Sequence, residues 1–406
     1  MEIPAIEGGK PVREHFKEYF PRISEHEKQL VLSVLESGRL ASGVGVFVRK
    51  FEEKFKEFVG TRHALAVSSG TAALHTAVAS LGIGVGDEVV TTPFSFVATA
   101  TAILHNNAIP VFGDIELDTL NLDPETIVDK ITPRTKAILV VHLAGHPAEM
   151  DEIVKIAREN NLAVIEDCAQ AIGSEYRGRK VGGIGDVGAF SFYQSKNMTT
   201  GEGGMVTTNS EEVYKSARLF VEHGSEERYY HVLLGWNYRM TELQAALGLG
   251  QLARIEELNR MREEIAKIYT EELESLDGDL LLLPKPKKHV KHTWHIYQVL
   301  LRLENLRVDR DRIIEAVKRE NVLVLVSYPR TIYENPLFQK LDAYGHGCPW
   351  FCPFYGRRIA YKPGLAPRAE LAARSVVTLP TLAGMSIEDA IDTAKALKKV
   401  LIYYRK

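Results

Sequence analysis

A lone lysine, Lys196, lies where an aromatic segment ends and a run of small residues begins. The segment around it reads GAFSFYQSKNMTTGEGG over residues 188–204. A lysine beside an apolar strand is partly desolvated, and desolvation disfavours the ammonium form and lowers the pKa of the side chain. A neutral amine can attack a carbonyl carbon and form a Schiff base. The small residues that follow leave room for a flat ligand, so the pattern predicts a nucleophilic amine at a binding site.

Two other segments could hold the phosphate and the ring of such a ligand. The sequence SSGTAAL, residues 68–74, predicts that a strand stops, the chain turns at Gly70 and a helix begins at Thr71. Free backbone N–H groups at a helix N-terminus bind anions such as phosphate, although a plain helix cap explains the pattern equally well. In PFSFVATA, Phe94 and Phe96 follow another predicted strand, and either ring could stack on a planar ligand or lie in the core.

Acidic residues end a further predicted strand in VIEDCAQA, residues 164–171. Charged side chains at the end of a buried strand need partners or a ligand. Asp167 could hold a proton on a heterocyclic nitrogen, or it could cap the next helix. A phosphate cradle, a stacking aromatic ring, an acid and a Schiff-base lysine are together what pyridoxal phosphate requires. Their order along the chain therefore predicts a pyridoxal-phosphate site.

One glycine-rich segment resembles a dinucleotide site only superficially. GGIGDVG contains the spacing G-x-G-x-x-G from Gly183 to Gly188. That fingerprint needs a strand before it and a helix after it, whereas here the strand-like AFSFY follows. These glycines are predicted to form turns.

The elements that position these residues alternate between short apolar strands and helices from about residue 60 to about residue 250. This rhythm predicts an α/β domain with a mostly parallel sheet, in which ligands bind at the carboxyl ends of the strands. We expect a large domain over 1–250, with an N-terminal helical segment, and a smaller C-terminal α+β domain over 251–406. A single long helix, roughly 240–274, would join them, and DPETIVDKI is predicted to be a further helix.

Composition excludes several classes of protein. The net charge of -3 gives no electrostatic case for nucleic acid as the main partner. No run of eighteen or more apolar residues predicts a membrane span, and the N-terminal sequence lacks an apolar signal core. Three scattered cysteines indicate a reducing compartment, so we expect a cytoplasmic location.

The sequence resembles the DegT/StrS family of sugar aminotransferases, which are fold type I pyridoxal-phosphate enzymes. The resemblance runs from about residue 20 to the C-terminal helix. It implies a fold type I aminotransferase-like large domain and a smaller α+β domain. The segments that carry it are SSGTAAL, VIEDCAQA, GAFSFYQSKNMTTGEGGMV, GWNYRMTELQAALGLGQL, SGRLASGVGVFVRKFEEKF and HLAGHPAEMDEI.

The resemblance also implies a role for each matching residue. Lys196 would form the aldimine with the cofactor and move the proton at the substrate Cα, while Asp167 would keep the pyridine nitrogen protonated. Phe96 would stack on the ring, and Gln170 would bond its phenolic oxygen. Asn237, in GWNYRM, would reach the phosphate of the neighbouring subunit's cofactor, which implies a homodimer with shared active sites. The other implied phosphate ligands are Gly70, Thr71, Ala72 and Ser191.

Lys196 also favours transamination within the family, because some members carry histidine there and dehydrate their substrates. L-glutamate or L-glutamine would donate the amino group, and a keto-sugar, most often a nucleotide-linked one, would accept it. The opening IEGGKPVR and the loop at 333–358 resemble instead the branch with cyclitol (inosose) and aminohydroxybenzoate enzymes. Arg357 and Arg358 of that loop could bind a phosphate or carboxylate, or form a solvated pair. A different pyridoxal-phosphate reaction and a regulatory protein that retains the fold are the remaining alternatives.

Overall fold

The computed structural model describes residues 2–406, and its elements follow the predicted alternation of strands and helices. The helices are α1 Glu25–Ser37, α2 Phe47–Val59, α3 Gly70–Ser80, α4 Ala98–His105, α5 Met150–Glu159, α6 Glu211–Val221, α7 Glu242–Leu252, α8 Ile255–Leu273, α9 Arg310–Lys318, α10 Pro336–Lys340, α11 Pro367–Ser375 and α12 Ile387–Tyr403. The strands are β1 His63–Val67, β2 Glu88–Thr91, β3 Ile109–Phe112, β4 Thr135–Val141, β5 Ala163–Asp167, β6 Glu175–Tyr176, β7 Arg179–Lys180, β8 Val187–Ser191, β9 Gly204–Thr208, β10 Ser225–Glu227, β11 Tyr230–His231, β12 Leu281–Leu282, β13 Val290–Lys291, β14 Ile296–Leu301 and β15 Val376–Pro380.

A seven-stranded sheet forms the centre of the larger part of the chain, in the order β1-β9-β8-β5-β4-β2-β3. Neighbouring strands are parallel except that β9 runs antiparallel to both β1 and β8. The strands are short, buried and apolar because helices cover both faces. The predicted α/β class with a mostly parallel sheet is therefore confirmed.

An aromatic cluster anchors the strand that leads to Lys196. Phe190 and Phe192 of β8 and its following turn pack against Phe51 and Phe55 of α2, with ring centroids 4.9 to 5.4 Å apart. All four side chains are buried. Such pairs contribute about 0.5–1.5 kcal/mol each beyond the area that they bury. The tight packing fixes the end of β8 and therefore the start of the turn that carries Lys196, which we name the lysine turn.

A second, three-stranded antiparallel sheet, β12-β14-β15, packs with α8, α9 and α12 around its own core. The segment between β14 and β15 returns to the large sheet, where Tyr333, Phe338 and Tyr361 pack around Phe112 of β3. The division of the chain at residue 250, which falls inside α7, stays a prediction. Within residues 2–406, none of the helices combines the length and apolar character needed to cross a membrane.

Two helix predictions are wrong in their detail. DPETIVDKI forms two short 3-10 turns, Pro124–Thr126 and Val128–Lys130, because the Thr126 hydroxyl accepts from the Asp114 N–H and donates to the Asp123 carbonyl. These side-chain bonds compete with helical ones. The predicted long helix is broken between α7 and α8, where Arg254 leaves helical geometry at φ -114 and its guanidinium bonds Glu27 and Glu257.

Candidate active site

The functional side chains meet at one edge of the large sheet. Asp167 pairs in register with Ala189, so the carboxyl ends of β5 and β8 lie side by side. β1 is antiparallel to β9, as β8 is, and therefore ends at the same edge. The turn after β1, the end of β5 and the lysine turn after β8 are thus brought together, as the order of the motifs predicts.

The turn after β1 offers an anion cradle at the start of α3. The Ser69 hydroxyl caps the helix and accepts a hydrogen bond from the Ala72 N–H at 3.1 Å. The N–H of Ala72, a predicted phosphate ligand, is therefore already used by the protein. The N–H groups of Gly70 and Thr71 have no hydrogen-bond partner among residues 2–406. A Cβ built on Gly70 would lie 2.5 Å from the Ser191 Cβ and 2.9 Å from its Oγ. Only glycine therefore permits the hydroxyl of Ser191 to approach this helix start.

Asp167 ends β5 with a buried carboxylate that two donors hold in place. The Thr99 hydroxyl of α4 donates to Oδ2 at 2.9 Å, and the Ala169 N–H donates to Oδ1 at 3.1 Å. Burial raises the pKa of Asp167, while these two hydrogen bonds and the nearby charge of Lys196 oppose the rise. Each oxygen keeps lone-pair capacity for a further donor. The carboxylate can therefore receive an N–H from a heterocyclic nitrogen.

Gln170 is fixed at both ends of its amide. The carbonyl oxygen accepts from the Ala144 N–H at 2.9 Å, and the NH₂ group donates to the Tyr328 hydroxyl at 2.7 Å. Burial raises the pKa of Tyr328, which keeps the phenol protonated. Tyr328 itself adopts a left-handed backbone with φ 59 and packs edge-on against Phe94 at 5.4 Å. This tyrosine arrives from a distant part of the chain and adds a polar group that the sequence did not single out.

The two candidate stacking rings differ in their environment. Phe94 is fully buried and belongs to the core, whereas the side chain of Phe96 is 60% exposed at the sheet edge. An exposed ring beside a polar site is free to cover a planar ligand. Of the two alternatives, Phe96 is the one available for stacking.

Lys196 follows β8 in a turn, where its N–H donates to the Tyr193 carbonyl at 2.9 Å. Burial lowers the pKa of Lys196 to about 8; the carboxylate of Asp167 opposes the effect and the charge of Arg262 adds to it. A cavity of about 140 Å³ opens beside Lys196 and is lined also by Phe20 and Tyr193. This cavity is not lined by Asp167 or Gly70, so it is the lowered pKa that marks Lys196 as a nucleophilic amine.

Glu166, the neighbour of Asp167, points to the opposite side of β5, and protein donors hold both of its oxygens. Its Oε1 accepts from the N–H groups of Ile184 and Gly185, at 2.8 and 2.6 Å, and its Oε2 accepts from Gly182 at 2.8 Å. The Ala148 N–H donates to Nδ1 of His142, so Nε2 of this histidine carries the hydrogen that it donates to Oε2.

This arrangement settles two features of the sequence. The backbone donors of the GGIGDVG segment surround the carboxylate of Glu166 rather than a phosphate, so the segment forms turns as predicted. His142, Glu166 and Cys168 lie close enough to share a metal ion. However, both nitrogens of His142 and both oxygens of Glu166 already bond protein groups. The trio is therefore a structural network.

The remaining candidates lie outside this cluster. Asn237 is exposed, and its amide makes no hydrogen bond within residues 2–406, although the adjacent Tyr238 carbonyl accepts from the Ser68 N–H near the anion cradle. Arg357 bonds the buried carboxylate of Glu88 at 2.7 Å, so it anchors its loop to β2 instead of facing a ligand. Arg358 is exposed.

Sequence reasoning missed three polar residues that support the site, namely Thr99, Tyr328 and Arg262. Thr99 is the second residue of α4, and no local feature distinguishes its hydroxyl from that of Thr101 in the same helix. Tyr328 and Arg262 contact residues 158 and 66 positions away, and no local pattern records such contacts.

The residues present fit pyridoxal phosphate. The glycine cradle at Gly70 with two unbonded N–H groups suits the phosphate, and the buried carboxylate of Asp167 suits the ring nitrogen. The exposed ring of Phe96 and the amine of Lys196 complete the set.

Comparison with known proteins agrees with this assignment. The model of the DegT/DnrJ/EryC1/StrS aminotransferase family matches residues 21–398. The chain is 41% identical over 297 residues to GDP-perosamine synthase of Caulobacter vibrioides, covering 73% of this chain and 79% of that protein. It is 39% identical over 381 residues to a putative L-glutamine:3-amino-2,3-dideoxy-scyllo-inosose aminotransferase of Streptoalloteichus tenebrarius, covering 91% and 90%.

A solved structure is similar over almost the whole length. Helicobacter pylori PseC, an aminotransferase involved in the biosynthesis of pseudoaminic acid, superimposes with a TM-score of 0.84 at 31% identity, covering 96% of this chain and all of that one.

Proposed function

Since the chain belongs to the DegT/DnrJ/EryC1/StrS aminotransferase family and is a pyridoxal-phosphate-dependent sugar aminotransferase, we propose that it moves an amino group from L-glutamate or L-glutamine to a nucleotide-linked keto-sugar. One observation carries the proposal: Lys196, with its lowered pKa, shares a sheet edge with the buried carboxylate of Asp167 and the open cradle at Gly70. A regulatory protein that had lost catalysis would have no need to keep all three.

Each residue of the site has a task in this reaction. Pyridoxal phosphate, when bound, supplies an aldehyde that takes up the amino group of the donor and a ring that withdraws electrons from the adjacent bonds. Gly70, Thr71 and Ser191 would bind the phosphate, and Asn237 of a neighbouring subunit would add to them. Asp167 would hold the proton on the ring nitrogen, and Gln170, braced by Tyr328, would bond the phenolic oxygen.

Lys196 would move the proton at the carbon that loses or gains nitrogen. With a pKa of about 8, roughly a tenth of this amine is neutral at pH 7, against less than a thousandth for an ordinary lysine. The neutral amine accepts a proton from Cα of the donor, and the ammonium form returns a proton to the former carbonyl carbon of the acceptor. The balanced reaction converts L-glutamate and a keto-sugar into 2-oxoglutarate and an amino sugar.

The acceptor is proposed to be nucleotide-linked because GDP-perosamine synthase is a relative at 41% identity. The inosose aminotransferase at 39% identity favours a cyclitol ketone as the second candidate, and it matches a larger share of this chain. Purified enzyme would be incubated with L-glutamate or L-glutamine, each nitrogen-labelled at its α-amino group, and either a nucleotide-linked keto-sugar or an inosose. We expect label in the sugar product with wild type and none with Lys196→Ala. Transfer to the inosose alone would replace the first candidate with the second.

We also propose a homodimer in which each subunit completes the other's site. One support is the exposed side-chain amide of Asn237. The other is that the β10–β11 hairpin and the segment between it and Asn237 expose large apolar side chains: Tyr229, Tyr230, Leu234 and Trp236 are 81%, 60%, 84% and 45% exposed. Such a patch is typical of a subunit interface. Lys196→Ala and Asn237→Ala are each expected to be inactive alone. Mixing them should restore part of the activity, because one site of a mixed dimer receives an intact Lys196 from one subunit and an intact Asn237 from the other. No restoration, with mixed dimers formed, would refute sharing.

We propose that the enzyme works in the cytoplasm. All three cysteines are free, and Cys168 is buried, which fits a reducing compartment.

A further inference from the structure

Arg262 of α8 carries a buried positive charge beside the lysine turn. Its side chain is 2% exposed, and its guanidinium bonds backbone carbonyls alone. Nη2 donates to the carbonyl of Lys196 at 3.0 Å and to that of Ser195 at 3.4 Å. Nη1 donates to the carbonyls of His295 and Thr381, at 3.1 and 2.9 Å. One side chain thus fastens the lysine turn to the start of β14 and the end of β15.

This arrangement is unusual for a buried cation. No carboxylate within residues 2–406 forms an ion pair with Arg262, and its Nε has no partner. Buried charges are normally paired, because an unpaired one is costly to remove from water. Burial lowers the pKa of Arg262 to about 10, so the group still carries its charge at neutral pH. The guanidinium supplies donors for four carbonyls, which no neutral side chain can match, and it brings an unpaired charge to the lysine turn.

The charged and titratable groups that act on Lys196 come from three directions. Asp167 of β5 favours the ammonium form, and Arg262 of α8 disfavours it. His295, ahead of β14, is the third, and burial holds its pKa far below the ordinary value. The Asn197 NH₂ group donates to Asn259 and Thr293, so its oxygen accepts from Nδ1 of His295. His295 is therefore neutral, and Arg262 is the cation that faces Lys196.

We infer that Arg262 is a positioning residue for Lys196, which fixes the backbone of the lysine turn through two carbonyls and raises the neutral fraction of the amine through its unpaired charge. The inference rests on the proposed role of Lys196 as the reactive amine. Asp167 must be ionised to serve the ring nitrogen, and its charge pulls Lys196 toward the ammonium form. Burial opposes that pull most strongly, and the charge of Arg262 adds to the opposition. An ionised carboxylate and a partly neutral amine can therefore coexist at one sheet edge.

The test measures the titration of Lys196 in the full-length protein without cofactor. Acetylation by acetic anhydride, quantified at the Lys196 peptide by mass spectrometry from about pH 6 to about pH 11, reports the fraction of neutral amine. Wild type should show a midpoint of about 8. Arg262→Met should raise the midpoint by more than about 0.3 pH unit, and Arg262→Lys, which keeps the charge, should stay within about 0.3 of wild type.

Tyr269→Phe supplies the matched control. Tyr269 lies two turns further along α8, is fully buried and donates to the Pro380 carbonyl at 2.8 Å, so the variant removes a comparable backbone tie without a charge. Its midpoint should equal that of wild type. An unchanged midpoint in folded Arg262→Met would overturn the inference, as would a full rise in Arg262→Lys or in Tyr269→Phe.

If Arg262→Met does not fold, Arg262→Gln, which keeps N–H donors for the carbonyls but carries no charge, should show the same rise, and an unchanged midpoint there would overturn the inference. The measurement needs neither donor nor acceptor, so its failure is distinguishable from failure of the proposed function. A shifted midpoint with no transamination would refute the function alone, and transamination with an unshifted midpoint would refute the inference alone.

Discussion

The two adjacent carboxylates at the end of β5 are predicted to have different roles: Glu166 stabilises the fold, and Asp167 serves the reaction. Glu166→Gln should destabilise the fold, because an amide NH₂ must replace one of two oxygens that accept two donors each. The donors cannot adapt: three are backbone N–H groups, and the His142 ring already accepts through its other nitrogen. Two lost hydrogen bonds to a charged acceptor cost about 3–6 kcal/mol at about 1.5–3 kcal/mol each. That is a large share of the stability of an ordinary protein, about 5–15 kcal/mol.

Asp167→Asn should behave in the opposite way. The Thr99 hydroxyl can reverse and accept from the new NH₂ group, while the amide oxygen keeps the Ala169 N–H. The loss of stability should therefore stay below about 1 kcal/mol. Turnover should collapse, because an amide cannot hold the proton on the ring nitrogen.

The assay is urea unfolding of both cofactor-free variants beside wild type, followed by turnover. The pKa of Glu166 is lowered in the folded state, so its contribution is present above the unfolded pKa and is lost as pH falls through the folded pKa. The deficit of Glu166→Gln should consequently shrink in acid. The pKa of Asp167 is raised, so ionising it costs stability as pH rises. Equal unfolding midpoints for Glu166→Gln and wild type, or a large loss in Asp167→Asn, would refute this reasoning.

Three further predictions concern the cradle, the carboxylate and the long loop. Gly70→Ala should weaken cofactor binding at least about tenfold in equilibrium dialysis, because the new Cβ would lie 2.5 Å from the Ser191 Cβ; a folded variant with wild-type affinity would contradict the cradle. Thr99→Val removes a hydrogen bond that lowers the pKa of Asp167, so the acid limb of the pH–rate profile should move to higher pH, and Thr99→Ser should restore it. Arg357→Ala should cost about 1 kcal/mol in urea unfolding, because it removes one donor from the buried Glu88 carboxylate while those from Tyr355 and Thr132 remain. Arg358→Ala should be neutral, and equal effects would show that the ion pair contributes nothing.

Most helices and strands were predicted from local patterns, because helix capping and hydrophobic periodicity depend on residues that are close together in the sequence. The capping box of Ser24 and Glu27 begins α1, and Gly38 and Gly60, both left-handed, end α1 and α2, so each boundary is set by residues at or beside it. The two errors have a long-range origin. Thr126 is held by Asp114, and Arg254 turns toward Glu27 on another helix.

The candidate site shows the same contrast between features set by local sequence and features set by long-range contacts. Motifs at strand ends identified Lys196, Asp167 and Gly70, because parallel topology brings such ends together. Tyr328 and Arg262 could not be found in this way, since their partners are distant in sequence and only the packing of the second sheet brings them close. Whether Asn237 reaches a neighbouring site depends on a second copy of the chain.

The absorption spectrum of the purified protein with pyridoxal phosphate, recorded before and after excess L-glutamate, tests the central claim most directly. A visible band that depends on Lys196 and shifts to the near ultraviolet when L-glutamate or L-glutamine is added would establish the first half of the transfer. Addition of the keto-sugar should then restore the visible band. A protein that forms no band, or one that Lys196→Ala forms equally well, would contradict the assignment of Lys196 as the reactive amine.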